Sequence, residues 1–307
     1  MGLGILCPGQ GHQHPEMFQR FGSAPAAQAM LTDIAAALGA PQPSPGGLAL
    51  EDVPIFRNKE AQILVVGNSL LYWHVLKDRI PEPDLVLGYS VGELAAASIA
   101  GCFDARTALN LAGLRAGFMD ACVTEPQGMI AAPRITRRAA AQIVSDFHLY
   151  PAIRNGPDHI VFGGLLAHCL DALKALEAQG FEPRLLNVAV ASHTPLLTHA
   201  IEPFRRALED ARAASPKMAL LAGCDGARLK SAAGAVEALS QQLAQTVEWR
   251  RCLDIAVESG VSCFLELGPG RALTRMIEDA YPAVSARAAE DFQTLDGLAR
   301  WACLAAA

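Results

Sequence analysis

A strand-like run, Leu85-Val86-Leu87, ends in Gly88-Tyr89-Ser90-Val91-Gly92, and an alanine-rich helical run follows from Glu93. Gly-x-Ser-x-Gly between a strand and a helix is the pattern of a nucleophile elbow, and it constrains this chain more than any other feature. The turn is so sharp that side chains at the two glycine positions would strike the flanking backbone. It sets the Ser90 hydroxyl in the open at the carboxyl end of a sheet. The helix that follows aims its free N–H groups and the positive end of its dipole at the same point, which suits a developing oxyanion. The pentapeptide alone also occurs in ordinary turns. The strand before it and the helix after it give it weight.

The rest of the chain has room for that unit. Of 307 residues, 51% are hydrophobic and 18% charged, which excludes disorder and predicts one large domain, alone or carrying a smaller one. A net charge of −6 argues against nucleic acid and against an anionic membrane surface. No apolar run is long enough to span a bilayer, and the N-terminus lacks a basic region ahead of an apolar stretch. The eight cysteines form no C-x-x-C pair or metal-type cluster, and most sit in apolar or alanine-rich runs. The expectation is a cytoplasmic protein with no membrane or nucleic-acid partner.

In chain order, Leu3-Gly4-Ile5-Leu6-Cys7 reads as a strand opening onto Pro8-Gly9-Gln10-Gly11-His12. This loop is either a plain strand-to-helix turn or the second half of an oxyanion hole, with the Gln10 N–H beside that of Val91. His12 and His14 have no carboxylate or cysteine cluster beside them, and no metal site is expected. Residues 25–79 read as helices interrupted by a Pro/Gly-rich loop at 41–47, with 61–76 amphipathic and packed against the sheet. A helix over 105–122 carries an apolar stripe of Leu111, Leu114 and Phe118, with Arg115 on or beside it. An inward arginine needs an anion. Spacing leaves two partners open, an Asp or Glu of the chain or a substrate carboxylate held in bidentate fashion.

Strands over 128–133, 150–154, 159–163 and 184–190 alternate with helices over 136–147, capped by Thr136, and 165–179, ended by Gly180. That order is βαββαβ, the ferredoxin-like pattern. Immediately after it comes Ser192-His193-Thr194-Pro195, a loop between a strand and a helix. His193 is the best general-base candidate, since catalytic groups gather on loops at strand ends. No Asp or Glu stands out as its partner, which leaves a backbone or amide carbonyl to orient the ring. A strand over 219–223, a helix over 232–245 containing Gln242, and a strand over 263–267 ending at Gly268-Pro269-Gly270 complete the chain. The last glycine turn lacks the Walker and dinucleotide spacings.

Seven stretches fall in one collinear series: Gly9-Gln10-Gly11, Gly88 to Glu93, Leu114-Arg115-Ala116-Gly117, Asn155-Gly156-Pro157, Ser192-His193-Thr194-Pro195, Gln242-Leu243 before Glu248-Trp249, and Glu266 to Gly270. Together they resemble the malonyl-CoA:acyl-carrier-protein transacylases over essentially the whole chain. Within that family the sequence is most similar to the transacylase (epsilon) subunit of malonate decarboxylase. Tyr89 stands where histidine is usual, and Val188-Ala189-Val190, Leu221-Ala222-Gly223 and the segment from Ala286-Arg287 to Asp291-Phe292 also look like it. Cys7 departs from the usual phenylalanine and Ala191 from the usual proline.

The resemblance implies a ping-pong acyl transfer. Ser90 and His193 would be catalytic, with the N–H groups of Gln10 and Val91 as oxyanion donors. Arg115, Gln242 and Asn155 would be substrate-binding, Arg115 through the malonyl carboxylate and Gln242 also by helping to place the histidine. No cofactor or metal is implied. Malonyl-CoA would be the donor and the prosthetic arm of an acyl carrier protein the acceptor, the malonate decarboxylase carrier subunit in the closest comparison. The alternatives are a transacylase of fatty-acid or polyketide synthesis, a serine thioesterase or hydrolase, and a scaffold with a dead site. Arg134, Arg137, Arg205 and Arg206 are candidates to meet an acidic carrier. The expected fold is α/β, an α/β-hydrolase-like parallel-sheet core over 1–126 and 193–307 with a ferredoxin-like (βαββαβ) small subdomain inserted over 127–192.

Overall fold

The strand that leads into the glycine–glutamine loop is apolar on both faces, and such a strand belongs in the middle of a parallel sheet. In the computed structural model, which describes residues 2–22, 24–44 and 47–306, that is where it lies. Strand β1 (Gly2–Cys7) is followed by helices α1 (Gln28–Leu38) and α2 (Asn58–Leu76), β2 (Leu85–Gly88), α3 (Gly92–Ile99) and α4 (Ala105–Asp120). Then come β3 (Gln127–Ala132), α5 (Arg137–Phe147), β4 (Tyr150–Arg154), β5 (Ile160–Leu165), α6 (Leu166–Ala178) and β6 (Arg184–Leu185). The chain closes with α7 (Thr198–Asp210), β7 (Leu220–Leu221), β8 (Arg228–Leu229), α8 (Ala232–Gln241), α9 (Trp249–Glu258), β9 (Val261–Glu266), α10 (Ala272–Ala280), β10 (Ser285–Ala288) and α11 (Leu295–Ala306).

Ten strands make two sheets among the described residues. The larger has the order β10-β9-β1-β2-β7-β8, parallel throughout except for the terminal pair β7–β8. Its register places Cys7 opposite Gly88 and Leu6 opposite Glu266. The carboxyl ends of β9, β1 and β2 are therefore level, and the three loops that leave them gather at one edge. That edge is where ligands bind in open α/β sheets.

The smaller sheet is antiparallel, in the order β4-β5-β3-β6. Strand alternation divides its two faces. Ile130, Ala132, Ile160 and Phe162 point to one side and form a separate apolar cluster with Ile143 of α5 and Leu176 of α6. Met129, Ile153 and Val161 point to the other, toward the large sheet, and share a cluster with Leu87, Trp249 and Leu273.

Three expectations need correction. Residues 61–76 are not an amphipathic surface helix, because α2 is buried along nearly its whole length between α1, α3 and α4. Its polar residues are inward-facing partners: Asn68 Nδ2 donates to Met17 O at 2.8 Å, and Gln62 receives a hydrogen bond from α4. The strand expected over 184–190 stops at Leu185, and from Asn187 the chain leaves the sheet for the His193 loop. The helix expected over 232–245 stops at Gln241, and the turn that follows it belongs to the site. Of the loop at 41–47, Pro45 and Gly46 lie outside the described residues.

All eight cysteines are free. Among the described residues no helix is long and apolar enough to cross a membrane.

Candidate active site

The elbow works through two absences of side chain. A Cβ on Gly88 would come within 2.2 Å of Glu93 N, and one on Gly92 within 2.1 Å of Cys7 O. With those contacts available, β2 turns into α3 so tightly that Ser90 adopts φ +55°. A left-handed conformation costs a non-glycine residue about 1–3 kcal/mol, and such strain collects at functional positions. His193, on the loop after the small sheet, is the site's other left-handed residue, at φ +62°.

These two strained residues meet. Ser90 Oγ lies 2.7 Å from His193 Nε2, and His193 Nδ1 lies 2.7 Å from the backbone carbonyl of Gln242. A ring held by a carbonyl must carry its proton on Nδ1, which leaves Nε2 free to accept the serine proton. The neighbouring Leu243 carbonyl accepts from the His193 backbone N–H at 2.8 Å. With α8 ended at Gln241, the turn that follows presents both carbonyls to the histidine loop. The histidine loop is fixed from the other side by Gln127, whose Oε1 accepts from Ala191 N at 2.9 Å, and by Thr194 Oγ1, which donates to Ala191 O at 2.6 Å.

The electrostatics match that tautomer. His193 is 1% exposed, and burial, followed by the nearby Arg115 charge, pushes its pKa down to about 3 against the Gln242 hydrogen bond. The ring is neutral at working pH and can act as a base.

Gly9 packs against the elbow, where a Cβ would meet Tyr89 O at 3.0 Å. The N–H groups of Gln10 and Val91 donate to nothing among the described backbone hydrogen bonds. A cavity of about 320 Å³ opens here between the two sheets, lined by Gln10, His12, Ser90 and His193 on one side and by Met129 and Asn155 on the other. Asn155 Oδ1 accepts from the Tyr89 hydroxyl at 3.1 Å, and the Tyr89 ring stands edge-on to Trp249 with centroids 5.2 Å apart. Tyr89, where the sequence departs from the commoner histidine, thus ties the elbow to the small sheet.

Arg115 lies behind the serine. It is 2% exposed and outside the cavity lining. Its Nη1 donates to Gln62 Oε1 at 2.8 Å and to Met119 Sδ at 3.2 Å, and its Nη2 donates to Gln242 Oε1 at 3.0 Å. Both oxygens belong to neutral amides, so the Asp or Glu partner that spacing left open is absent at hydrogen-bond distance. Burial pulls the guanidinium pKa down to about 10, with Glu93 acting the other way, and the group stays protonated at neutral pH.

Gln242 is the hub of the site. Its carbonyl holds His193, its Oε1 receives Arg115, and its Nε2 donates to Ser90 O at 2.9 Å. Expected to bind substrate and to help place the histidine, it has the geometry of a positioning residue and lies outside the cavity lining.

The structure places Ser90, His193, Gln10, Val91, Arg115, Gln242 and Asn155, the residues singled out from the sequence, in one region. It missed Gln62, Gln127 and Glu93 as partners. Glu93 was visible in the elbow motif, whereas Gln62 and Gln127 carry no local signal. The four arginines proposed for an acidic partner are not one free patch. Arg134 pairs with Glu182 at 2.6 Å, Arg206 with Glu202 at 2.9 Å, and Arg205 with Glu237 and Glu202. Only Arg137 is without an ion pair among the described residues. His14 bridges Glu16 and Glu290, and no cluster of metal-ligating side chains occurs among the described residues.

Residues 61–297 match the family described as acyl transferase domain. The chain is 32% identical over 301 residues to a malonyl CoA-acyl carrier protein transacylase of Mycobacterium tuberculosis, covering 97% of this chain and 99% of that one. It is 27% identical over 216 residues to a polyketide synthase of Streptomyces halstedii, covering 69% of this chain but only 3% of that protein. Among solved structures, the transacylase of M. tuberculosis superposes with a TM-score of 0.85 at 31% identity, over 97% of this chain and 100% of the other. A malonyl-transacylase in complex with a type II polyketide synthase acyl-carrier protein superposes with a TM-score of 0.88 at 25% identity, over 99% of each chain.

Proposed function

The chain belongs to the acyl transferase domain family and is an acyltransferase, and we propose that it moves a malonyl group from malonyl-CoA through a Ser90 ester to the thiol of an acyl carrier protein. The observation that carries this reading is the Ser90–His193–Gln242 relay beside a buried guanidinium that has only neutral partners. His193 Nε2 takes the Ser90 proton as Oγ attacks the thioester carbonyl. The oxyanion forms between the N–H groups of Gln10 and Val91. Collapse expels the CoA sulfur, which takes the proton from His193, and leaves malonyl on Ser90. The carrier thiol then attacks the ester, gives its proton to His193, and Ser90 recovers it.

A histidine held by a carbonyl, with no carboxylate behind it, is a modest base and its imidazolium is poorly stabilised. A thiol with a pKa of about 8.5 leaves without strong acid assistance, so a thioester suits this site better than an amide. The charge of Arg115, with only the neutral Gln62, Gln242 and Met119 as partners, is left for an anion, and the malonyl carboxylate supplies one. The cavity wall of Met129, Ile153, Val161, Leu186 and Met276 disfavours water and supports transfer over hydrolysis. Asn155, tied to Tyr89, would shape the mouth that the acyl group enters.

The carrier is that of fatty-acid or polyketide synthesis. The names of the similar proteins support this over a malonate decarboxylase carrier subunit, which rests on Tyr89 and the flanking motifs alone. Residues 127–192 are read as a ferredoxin-like insert, supported by their strand order and separate apolar cluster, on a hydrolase-like core of 1–126 and 193–307.

The test is the intact mass of the protein after malonyl-CoA, with Ser90→Ala and acetyl-CoA as controls. A persistent malonyl adduct on the wild type alone, discharged by an acyl carrier protein, is the expected result. Release of free CoA without an adduct would make the protein a hydrolase instead.

A further inference from the structure

Glu93 is the residue after the elbow, on the first turn of α3, and it is 3% exposed. Its Oε1 makes no hydrogen bond of good geometry, although the Gln242 amide and the Gly223 backbone lie close enough to favour the charged carboxylate. The carboxyl is pressed so closely on β7's outgoing loop that a Cβ on Gly223 would lie 1.9 Å from Oε1. A buried acid with an unsatisfied oxygen calls for an explanation. The groups facing it are the Gln242 amide, the Gly223 backbone, the Arg115 guanidinium, the Asp225 carboxylate, and the thiols of Cys224 and Cys252. Arg115 is the only cation of that set, and it is not within ion-pair distance. Glu93 and Arg115 are instead joined through Gln242, which also touches Ser90 and His193.

We propose that Glu93 is an internal competitor for Arg115: protonated, it leaves the guanidinium's charge to the substrate carboxylate, and ionised, it neutralises that charge and repels the substrate. The inference rests on Arg115 as the carboxylate receptor. It deepens that reading by giving the same site a pH-dependent preference for anionic acyl groups. Glu93 acts through Gln242 and through charge, as a positioning residue, and touches no reacting atom.

The protonation balance supports this arrangement. Burial is the largest influence and pushes the carboxyl up to about 8, against the Gln242 amide, the Gly223 backbone and Arg115, with Asp225 adding to the rise. Near neutral pH the group is mostly protonated and the site accepts an anion. Above about pH 8 it ionises. The burial of one more negative charge beside it then requires Glu93 to take up a proton. His193 stays neutral across this window, since its pKa is held far below it.

The experiment measures kcat/KM for Ser90 acylation by malonyl-CoA and acetyl-CoA between pH 7 and 9.5, in the wild type and in Glu93→Gln. For the wild type the malonyl value should fall relative to the acetyl value, approaching about tenfold per pH unit above the transition. In Glu93→Gln, a permanently neutral isostere, the malonyl-to-acetyl ratio should stay level at the wild-type value of pH 7. A level ratio in the wild type, or a fall that persists in Glu93→Gln, overturns the proposal. Arg115→Ala separates the two readings: if it leaves the ratio unchanged at pH 7, the carboxylate receptor is wrong and this inference goes with it. Should Glu93→Gln fail to fold, Ser90→Ala titrated calorimetrically with malonyl-CoA in buffers of different ionisation enthalpy gives the same answer. It should take up a large fraction of a proton at pH 8.5 and almost none at pH 6.5, and equal uptake at both would exclude Glu93.

Discussion

Two buried glutamates stand at the same edge of the large sheet and are treated in opposite ways. Glu266 ends β9, and its carboxylate accepts from Thr274 N and Thr274 Oγ1, each at 2.7 Å, and from Leu273 N at 3.3 Å. These are the first N–H groups of α10, so Glu266 caps that helix from outside and holds Leu273 and Met276 against the cavity. Glu93 follows β2, on the far side of β1 from β9, is as deeply buried, and has an oxygen that makes no hydrogen bond of good geometry. Burial raises both, Glu266 to about 7 and Glu93 to about 8. An acid whose oxygens are satisfied holds the fold, whereas one left short beside a buried cation remains free to respond to a ligand.

Variants should divide along that line, with the largest effects on the Glu93 side seen in rate. His193→Ala should lower acyl transfer by about 10³-fold while lowering the thermal midpoint by no more than a few degrees, since it keeps the left-handed backbone and strands only the Gln242 carbonyl. A protein that unfolds instead would erase the distinction. Arg115→Ala should lower the malonyl-to-acetyl ratio by about a hundredfold, the scale of truncating one partner of a buried charged contact. Equal losses for both donors would show that Arg115 only supports Gln242. On the other side, Glu266→Ala should lower stability by about 2–3 kcal/mol, because it strands the Leu273 and Thr274 donors. The kcat of its folded fraction should change little; denaturant unfolding and a rate normalised to titrated active sites would read the two effects apart.

The same division describes what the sequence made legible. Ser90 and its glycines sit in one pentapeptide whose geometry is local, and β1, β2 and β9 are continuous apolar runs. Arg115 was flagged because a charge on an apolar stripe is visible by helical spacing. Of the partners around it, Gln62 and Gln127 carry no local signal, Glu93 stood in the elbow motif with no role attached, and Gln242 was reached only through the family resemblance, because the four come from separate segments and meet only in the fold. The stop of α8 is the clearest case. Nothing in Gln241-Gln242-Leu243-Ala244-Gln245 breaks a helix by propensity, yet the chain turns there and presents the next two carbonyls to His193. Likewise α2 looked amphipathic because buried Gln62, Asn68 and Ser69 are indistinguishable in sequence from a solvent-facing side. The last small strand broke off early because its residues are needed to carry the chain to the catalytic loop.

The smallest expected effect tests the comparison without touching the chemistry. Both glutamates have folded pKa values above their unfolded ones, so their stabilising contribution is complete below the unfolded carboxylate range. It is lost as pH rises through about 7 for Glu266 and about 8 for Glu93. His193 has the opposite sign for a base: its folded pKa is depressed, so stability is full above the ordinary histidine value and falls as the pH drops below it. The thermal midpoint should therefore pass through a maximum on the acid side of neutrality, decline by a few degrees up to about pH 8, and level off above it. Glu266→Gln should remove a share of the decline that ends near pH 7, and Glu93→Gln the share that continues to about pH 8, while His193→Ala should flatten only the acid limb. Of the two glutamate variants, only Glu93→Gln should also move the substrate preference over the same pH range. If both variants altered the stability curve alone, the two buried acids would be equivalent, and Glu93 would be a second structural carboxyl rather than a responder to the ligand.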